Sequence, residues 1–319
     1  MRVFVAGAAG AIGRRLVPQL IAAGHHVTGT TRNHEKLGVL RNLGADAVPV
    51  DGLDATAVGE AVARAEPDAI IHQMTALASA TSMRNFDTVF AVTNELRTRG
   101  TDNLLAAATA SGVRRFVAAS FTGWPNIRAG GPVKTEGDPL DPNPPAAQRA
   151  SLGAIEYLER AVTSAPLETV VLRYGMFYGP GTSDEITDMI RRRRMPVVGS
   201  GDGIWSMIHI DDAASATVAA LERGRGIFNI VDDDPARAGD LLPALAKLLG
   251  AKAPMRLPVW LARPLAGEVG VSLLTTVRGS SNAKARAELD WQPRWSSWRD
   301  GFRAGLGGTT VTGLGSARG

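Results

Sequence analysis

The residues best suited to chemistry stand at the front of the chain. Gly7-Ala8-Ala9-Gly10-Ala11-Ile12-Gly13 follows the apolar run Arg2-Val3-Phe4-Val5-Ala6 and leads into a helical pattern ending near Ala23. Strand, glycine bend and helix in that order make a diphosphate cradle. Gly7 permits the tight turn, Gly10 lets backbone N–H groups approach the phosphates, and Gly13 lets helix and strand pack closely. The positive end of the helix dipole then faces the anion. A second chemical signal lies at the end of the next apolar run, Thr28-Gly29-Thr30-Thr31-Arg32. A carboxylate there would hold ribose hydroxyls, whereas a guanidinium pairs with a 2′-phosphate. Arg32 beside Thr31 therefore favours NADP over NAD. Asp51 follows the third run, and Asp54 fits the N-cap of the next helix.

These residues need a scaffold, and the pattern supplies one. Strand-like runs at Val3–Ala6, His26–Thr31, Ala47–Val50, Ala69–Gln73, Phe116–Ala119 and Thr169–Tyr174 alternate with helical patterns. The helical stretches are Ala11–Ala23, Glu35–Leu43, Ala55–Ala65, Phe86–Ser111 (interrupted by Gly100) and Ala146–Ser164. Such alternation with continuous apolar strands predicts an α/β fold, a Rossmann-type doubly wound parallel sheet covered on both faces. A smaller C-terminal substrate lobe is expected from about 175–205 and 234–303, with a return to the sheet near Met207–Ile210 and Ile227–Val231. The dinucleotide-binding domain would then be 1–174 plus about 206–233. The Pro/Gly-rich loop from Gly123 to Pro145 follows the fifth strand, where such folds place substrate contacts. Residues 304–319 read as a flexible Gly/Thr/Ser tail. In the lobe, Trp205 is expected to line a pocket, and Trp260, Trp291, Trp295 and Trp298 to fill the core.

Composition narrows the classes. The 319 residues are 45% hydrophobic and 21% charged, an ordinary globular balance. With no cysteine, disulfides and thiolate chemistry are excluded, and five scattered histidines without a ligand spacing argue against a metal. No apolar run reaches the ~20 residues of a membrane span, and Arg14-Arg15 interrupts any leader-like start. A cytoplasmic location without a membrane partner is therefore expected. Nucleic-acid binding would need aromatic residues among the basic ones, and only 5% of the chain is aromatic. The dense basic run Arg191-Arg192-Arg193-Arg194 reads either as a solvated helix C-terminus or as an anion clamp.

Several further segments occur in a telling order. Leu172-Arg173-Tyr174-Gly175-Met176-Phe177-Tyr178-Gly179-Pro180-Gly181 is similar to the motif LRPxxxYGPG. Ile208-His209-Ile210-Asp211-Asp212-Ala213-Ala214 is similar to HVDDVA, Phe228-Asn229-Ile230 to a short yNi strand, and Lys284 to Pro293 to KaxxeLGWxP. With the opening GxxGxxG they span residues 2 to about 303. On these motifs the chain resembles the extended short-chain dehydrogenase/reductase superfamily, the group of nucleotide-sugar epimerases and dehydratases. Asn94 to Ser111 resembles its NxxGTxNLLxAA helix, although Gly100 lies six residues after Asn94 rather than three.

The resemblance implies a nicotinamide dinucleotide, a substrate lobe, and a Tyr-x-x-x-Lys pair on the helix after strand five, with a Ser or Thr after that strand. Expected cofactor contacts are Gly7, Gly10, Ala11, Ile12, Gly13, Thr31, Arg32, Asp51, Gly52, Gln73, Met74, Ser120, Tyr174 and Gly175. The chain departs from the pattern at its centre. The Tyr position falls on Gln148 and the Lys position on Leu152. Gln can hydrogen-bond a carbonyl but cannot supply a proton, and loss of a placed acid costs roughly 10²–10⁴ in rate. The catalytic Ser position aligns near Phe121, flanked by Ser120 and Thr122. Catalytic candidates are therefore Ser120, Thr122, Gln148 and Tyr174. Tyr178, Lys134 (swinging in from its loop) and bound water are alternatives, while His209 is expected to pack beneath the site.

The leading expectation is an atypical NADP-dependent oxidoreductase acting on a small carbonyl or hydroxyl compound, as monomer or homodimer. A redox-neutral epimerase, dehydratase or cyclase-like enzyme is the alternative, and a silent NADP-binding sensor is a third.

Overall fold

A computed structural model describes residues 1–76 and 85–307. Seven strands form one parallel sheet: β1 (Arg2–Ala6), β2 (His26–Thr31), β3 (Asp46–Pro49), β4 (Ala69–His72), β5 (Arg115–Phe121), β6 (Glu168–Tyr174) and β7 (Gly226–Ile230). Their spatial order is β7-β6-β5-β4-β1-β2-β3, all parallel. The order reverses between β1 and β4, which opens a crevice at the carboxyl ends of those strands.

The pleat explains the two-faced core. Val3 and Val5 of β1 meet the opening helix Gly13–Ala22 through Leu16, Val17 and Leu20. Phe4 and Ala6 point the other way, toward Val58 and Val62 of helix Ala55–Ala65 and Leu104 of helix Thr101–Ala110. Helix Ile210–Ala219 completes the first face, and helix Arg149–Ser164 the second with Leu158 and Val162. A third cluster fills the C-terminal lobe, where Val197, Trp205, Leu241, Leu245, Val269 and Trp298 pack together.

Three expectations change in detail. Only the second of the two returning segments joins the main sheet, as β7. Met207–His209 instead pairs in parallel with Met176–Tyr178 in a ladder of its own. The stretch from Phe86 is divided into Phe86–Val89, Ala91–Glu95, a π-helical turn over Leu96–Gly100, and Thr101–Ala110. The last helix, Trp298–Gly307, runs past the expected lobe end, and the rest of the anticipated tail lies outside the described residues. The Gly123–Pro145 loop is strapped to the lobe: Val133–Lys134 pairs with Gly279–Ser280.

Candidate active site

The glycine bend has the geometry its sequence asks for. Gly7 sits at φ +85°, and a Cβ there would lie 2.8 Å from the Gln73 carbonyl oxygen. Gly13 is closed to any side chain, because its Cβ would lie 2.2 Å from the Ala8 oxygen. Gly10 is different. A Cβ there would approach only the Gly7 oxygen, at 3.2 Å, so its outer side faces open space. The N–H groups of Ala11, Ile12 and Gly13 find no acceptor among the described residues, and Ile12 at the N-cap makes no side-chain cap bond. The first turn holds no acid. Unused donors, bare backbone and the helix dipole together fit a diphosphate. A cavity of about 200 Å³ opens beside them, lined by Ala11, Arg14, Arg15, Pro180 and Gly181. A larger one, about 450 Å³, lies at the amino ends of the strands, lined by Met1, Asp68, Arg115 and Glu168 among others. We place the functional site at the carboxyl ends, where the switch in strand order and the free N–H groups coincide.

The expected coenzyme contacts gather at those ends. Arg32 is exposed after β2 and makes no ion pair among the described residues. Thr31 accepts from the Asn33 N–H through Oγ1 at 3.2 Å. Asp51 closes a small turn by accepting from the Leu53 N–H, and Asp54 caps helix Ala55–Ala65 through the Ala57 N–H. Gly52 lies under Met74, whose Sδ would be 2.3 Å from a Cβ at that position. Gly175 passes the Ser206 carbonyl so closely that a Cβ would stand 2.6 Å from its oxygen.

The catalytic candidates divide. Tyr174 is buried with its hydroxyl held between Gln73 Nε2 (2.9 Å) and Thr217 Oγ1 (2.7 Å). Burial pushes its pKa up to about 12. That geometry ties β6 to β4 and to helix Ile210–Ala219 and keeps the phenol protonated. Ser120 donates to Glu159 Oε1 at 2.7 Å, and Arg173 grips the same carboxylate from the other side. Thr122 shares a network with Asn126 and Ser280, which pins the loop rather than pointing a hydroxyl outward. Lys134 is not a swinging arm. Its ammonium is buried and donates to the Ala129 carbonyl at 2.5 Å, with Asp138 at 3.5 Å. Tyr178 stacks on Phe302 in the lobe core, with burial raising its pKa strongly. His209 caps helix Ile210–Ala219 through the Asp211 N–H.

Gln148 stands apart. It precedes helix Arg149–Ser164, is 1% exposed, and neither of its side-chain amide atoms is hydrogen-bonded among the described residues. Leu152, one turn on, is 4% exposed and packs in the lobe cluster. These two positions thus hold a neutral amide and an isobutyl group, neither of which can donate a proton.

A buried cation that was not among the expected site residues lies on the neighbouring π-helical turn. Arg97, in the π-helical turn, is 7% exposed, and its hydrogen-bond contact among the described residues is Asn94 Oδ1 at 3.4 Å. Burial lowers its pKa to about 10, opposed by the nearby Glu159, so it stays charged. Counting three residues back from Gly100 reaches Arg97, so the motif spacing itself held the signal. Asn94 instead donates to Ser151 Oγ, and Asp87 caps the start of helix Arg149–Ser164 through the N–H groups of Ala150 and Ser151. His72 beside them is neutral: burial lowers its pKa to about 4. Its Nδ1 accepts from the Met74 N–H, which leaves Nε2–H to donate to Thr101 Oγ1.

Trp205 belongs to the core, its indole donating to the Leu273 carbonyl, whereas Trp260 is 75% exposed rather than core. Among the described residues no group of three His, Cys, Asp or Glu is placed to hold a metal, and no helix is long and apolar enough to cross a membrane.

Known proteins resemble this chain in sequence and fold. The chain is 43% identical over 309 residues to a 3-diazoavenalumate denitrifying reductase of a Streptomyces species, covering 95% of this chain and 99% of that one. It is 29% identical over 267 residues to the 2-alkyl-3-oxoalkanoate reductase of Stenotrophomonas maltophilia, covering 79% and 76%. Among solved structures, the Thermus thermophilus UDP-glucose 4-epimerase in complex with NAD superposes with a TM-score of 0.72 at 26% identity, over 96% of this chain and 98% of that one. The human epimerase family protein SDR39U1 with NADPH superposes with a TM-score of 0.74 at 20% identity, over 97% and 100%, a likeness of fold. Residues 3–230 match the family described as NAD dependent epimerase/dehydratase. The chain therefore belongs to the NAD dependent epimerase/dehydratase family, in its extended short-chain form.

Proposed function

We propose that this chain is an NADP-dependent reductase that delivers hydride to a small electrophile without a proton donor of its own, and that the electrophile is an aryl diazo compound. The observation that carries the reading is the Gln148–Leu152 pair. A ketone becomes an alcohol only by gaining a proton with the hydride, and the group that supplies it is missing. When bound, the reduced coenzyme supplies the hydride; added to the terminal nitrogen of an aryl diazonium, it gives an aryl diazene, which releases dinitrogen and keeps hydrogen on the ring. That balance needs no acid from the protein at the hydride step. The name of the Streptomyces relative, a denitrifying reductase of a diazo compound, supports the same class.

The chain's own residues would do the rest. Ala11, Ile12 and Gly13 present N–H groups to the diphosphate. Arg32 offers to a 2′-phosphate a guanidinium that makes no ion pair among the described residues. Gln148 offers one amide donor and one acceptor in a dry setting, suited to orienting a polar substrate rather than protonating it. Arg97 adds a buried positive charge near that end of the sheet, favourable to a substrate carboxylate.

The test is a substrate panel with NADPH. Aryl diazo acids should oxidise the coenzyme with one equivalent of dinitrogen released, and the matched aryl ketones should not. Turnover of the ketones with the diazo acids inert would overturn the substrate class. Interconversion of sugar nucleotides with no net coenzyme oxidation would favour the epimerase reading instead.

A further inference from the structure

We infer that the segment from Lys252 to Gly267, with the four-arginine run beside it, is a docking surface for an anionic phospholipid membrane. Apolar side chains are concentrated in water along this segment. Among the described residues nine large apolar side chains are exposed, and five of them fall between Met255 and Leu265: Met255, Val259, Trp260, Leu261 and Leu265. Trp260 is 75% exposed and Leu265 64%. Scattered singly, such residues need no explanation, but a contiguous patch does.

The backbone explains why the patch stands out. Helix Val259–Thr275 is interrupted at Gly267 (φ 70°, ψ 177°), a conformation that only glycine adopts at low cost. Beyond that bend, Val269 to Leu274 lie in the lobe core. Before it, Ala262 alone of Val259–Ala266 is buried, so the leading half of the helix turns its apolar surface outward. The segment is nevertheless anchored at its start, because Arg256–Leu257 pairs in parallel with Val197–Val198.

Charge selects the occupant. No Asp or Glu occurs between Asp240 and Glu268, while Lys247, Lys252, Arg256 and Arg263 do. The strand pairing also brings in Arg191-Arg192-Arg193-Arg194, all exposed, which end a few residues before Val197. Asp188 offsets one of them by pairing with Arg192. An apolar helix carrying a Trp, with cations along its own segment and on the run leading into the paired strand, matches the requirements of the interface of an anionic bilayer. The Trp settles at headgroup depth, the aliphatic groups enter the acyl boundary, and the cations meet lipid phosphates. A soluble acidic partner would satisfy the arginines but would have no need of five bare apolar groups. The inference is independent of the substrate, since none of these residues lies at the glycine bend or near Gln148.

The experiment uses the full chain and vesicles of phosphatidylglycerol mixed with phosphatidylcholine, beside vesicles of phosphatidylcholine alone, read by co-sedimentation. The chain should pellet with the anionic vesicles, bind the neutral ones at least roughly tenfold more weakly, and release as salt rises. Trp260→Ser with Leu265→Ser should weaken binding by roughly tenfold or more. Arg193→Gln should weaken it about fivefold. All three sites are solvent-exposed, so the thermal midpoint should stay put, which separates lost docking from lost folding. Failure of the unmodified chain to bind anionic vesicles would overturn the inference, as would equal binding by the double variant. So would a homodimer that the double variant dissolves, because the patch would then be a subunit contact.

Discussion

Arg173 and Glu159 meet as a two-pronged buried pair, Nε to Oε1 at 2.7 Å and Nη2 to Oε2 at 2.6 Å, directly beneath the end of β5. Ser120 adds a third hydrogen bond to the same carboxylate, and Arg97 lies close enough for its charge to feel it. One carboxylate therefore holds the strand end, the long helix and two buried cations in register. Replacing Glu159 by Ala would leave Arg173 and Arg97 without that compensation. We expect a loss of about 3–5 kcal/mol in stability, read by chemical denaturation, while Glu159→Gln loses less because its amide oxygen still accepts.

Gln148 carries a prediction with opposite signs in two measurements. Gln148→Leu removes two buried polar atoms that make no hydrogen bond among the described residues, so stability should stay level or rise. If the amide orients the substrate, kcat/KM should fall by roughly ten- to a hundredfold. A stable variant with unchanged kinetics would remove Gln148 from the site.

Arg32 tests the coenzyme. Arg32→Ala should weaken NADPH by about ten- to a hundredfold and leave NADH nearly untouched, because only NADPH carries the 2′-phosphate. Calorimetric titration of both coenzymes reads the difference. Equal losses would make the guanidinium a general contact.

Gly13 tests the bend by packing. A methyl group there would stand 2.2 Å from the Ala8 oxygen, against backbone that cannot swing aside. Gly13→Ala should cost about 1–3 kcal/mol and weaken both coenzymes together. Gly24→Ala is a contrasting control, where nothing lies within 4 Å but φ is +83°, so stability alone should drop.

Asp232 predicts a pH dependence. It is buried just after β7, with one carboxylate oxygen accepting from the Asp234 N–H and the other unpartnered among the described residues. Burial raises its pKa from 3.8 to about 8. The folded state thus keeps a proton that the unfolded chain releases, so this group's contribution to stability declines as pH rises from about 4 to about 8. Asp232→Asn should flatten that decline, seen as thermal midpoints that diverge in the variant's favour toward pH 8.

The parallel sheet and the glycine bend were legible in the chain because both depend on local rules. Apolar runs alternating with helical periods specify covered parallel strands, and a glycine triplet between strand and helix tolerates few other uses. Gln148 and Leu152 were picked out by counting from neighbours on one helix, which is likewise a local operation. What the neighbours of each side chain are is not local. Tyr174, Ser120 and Thr122 all carry groups that chemistry uses, and the tertiary structure spends each on a buried partner brought from far along the chain, while Lys134 is folded back onto its own loop. Arg97 is buried within a π-helical turn, and Trp260 stands in water before the bend at Gly267. Periodicity fixes which face a residue occupies only while the helix stays regular; at those two irregular turns, packing decided instead.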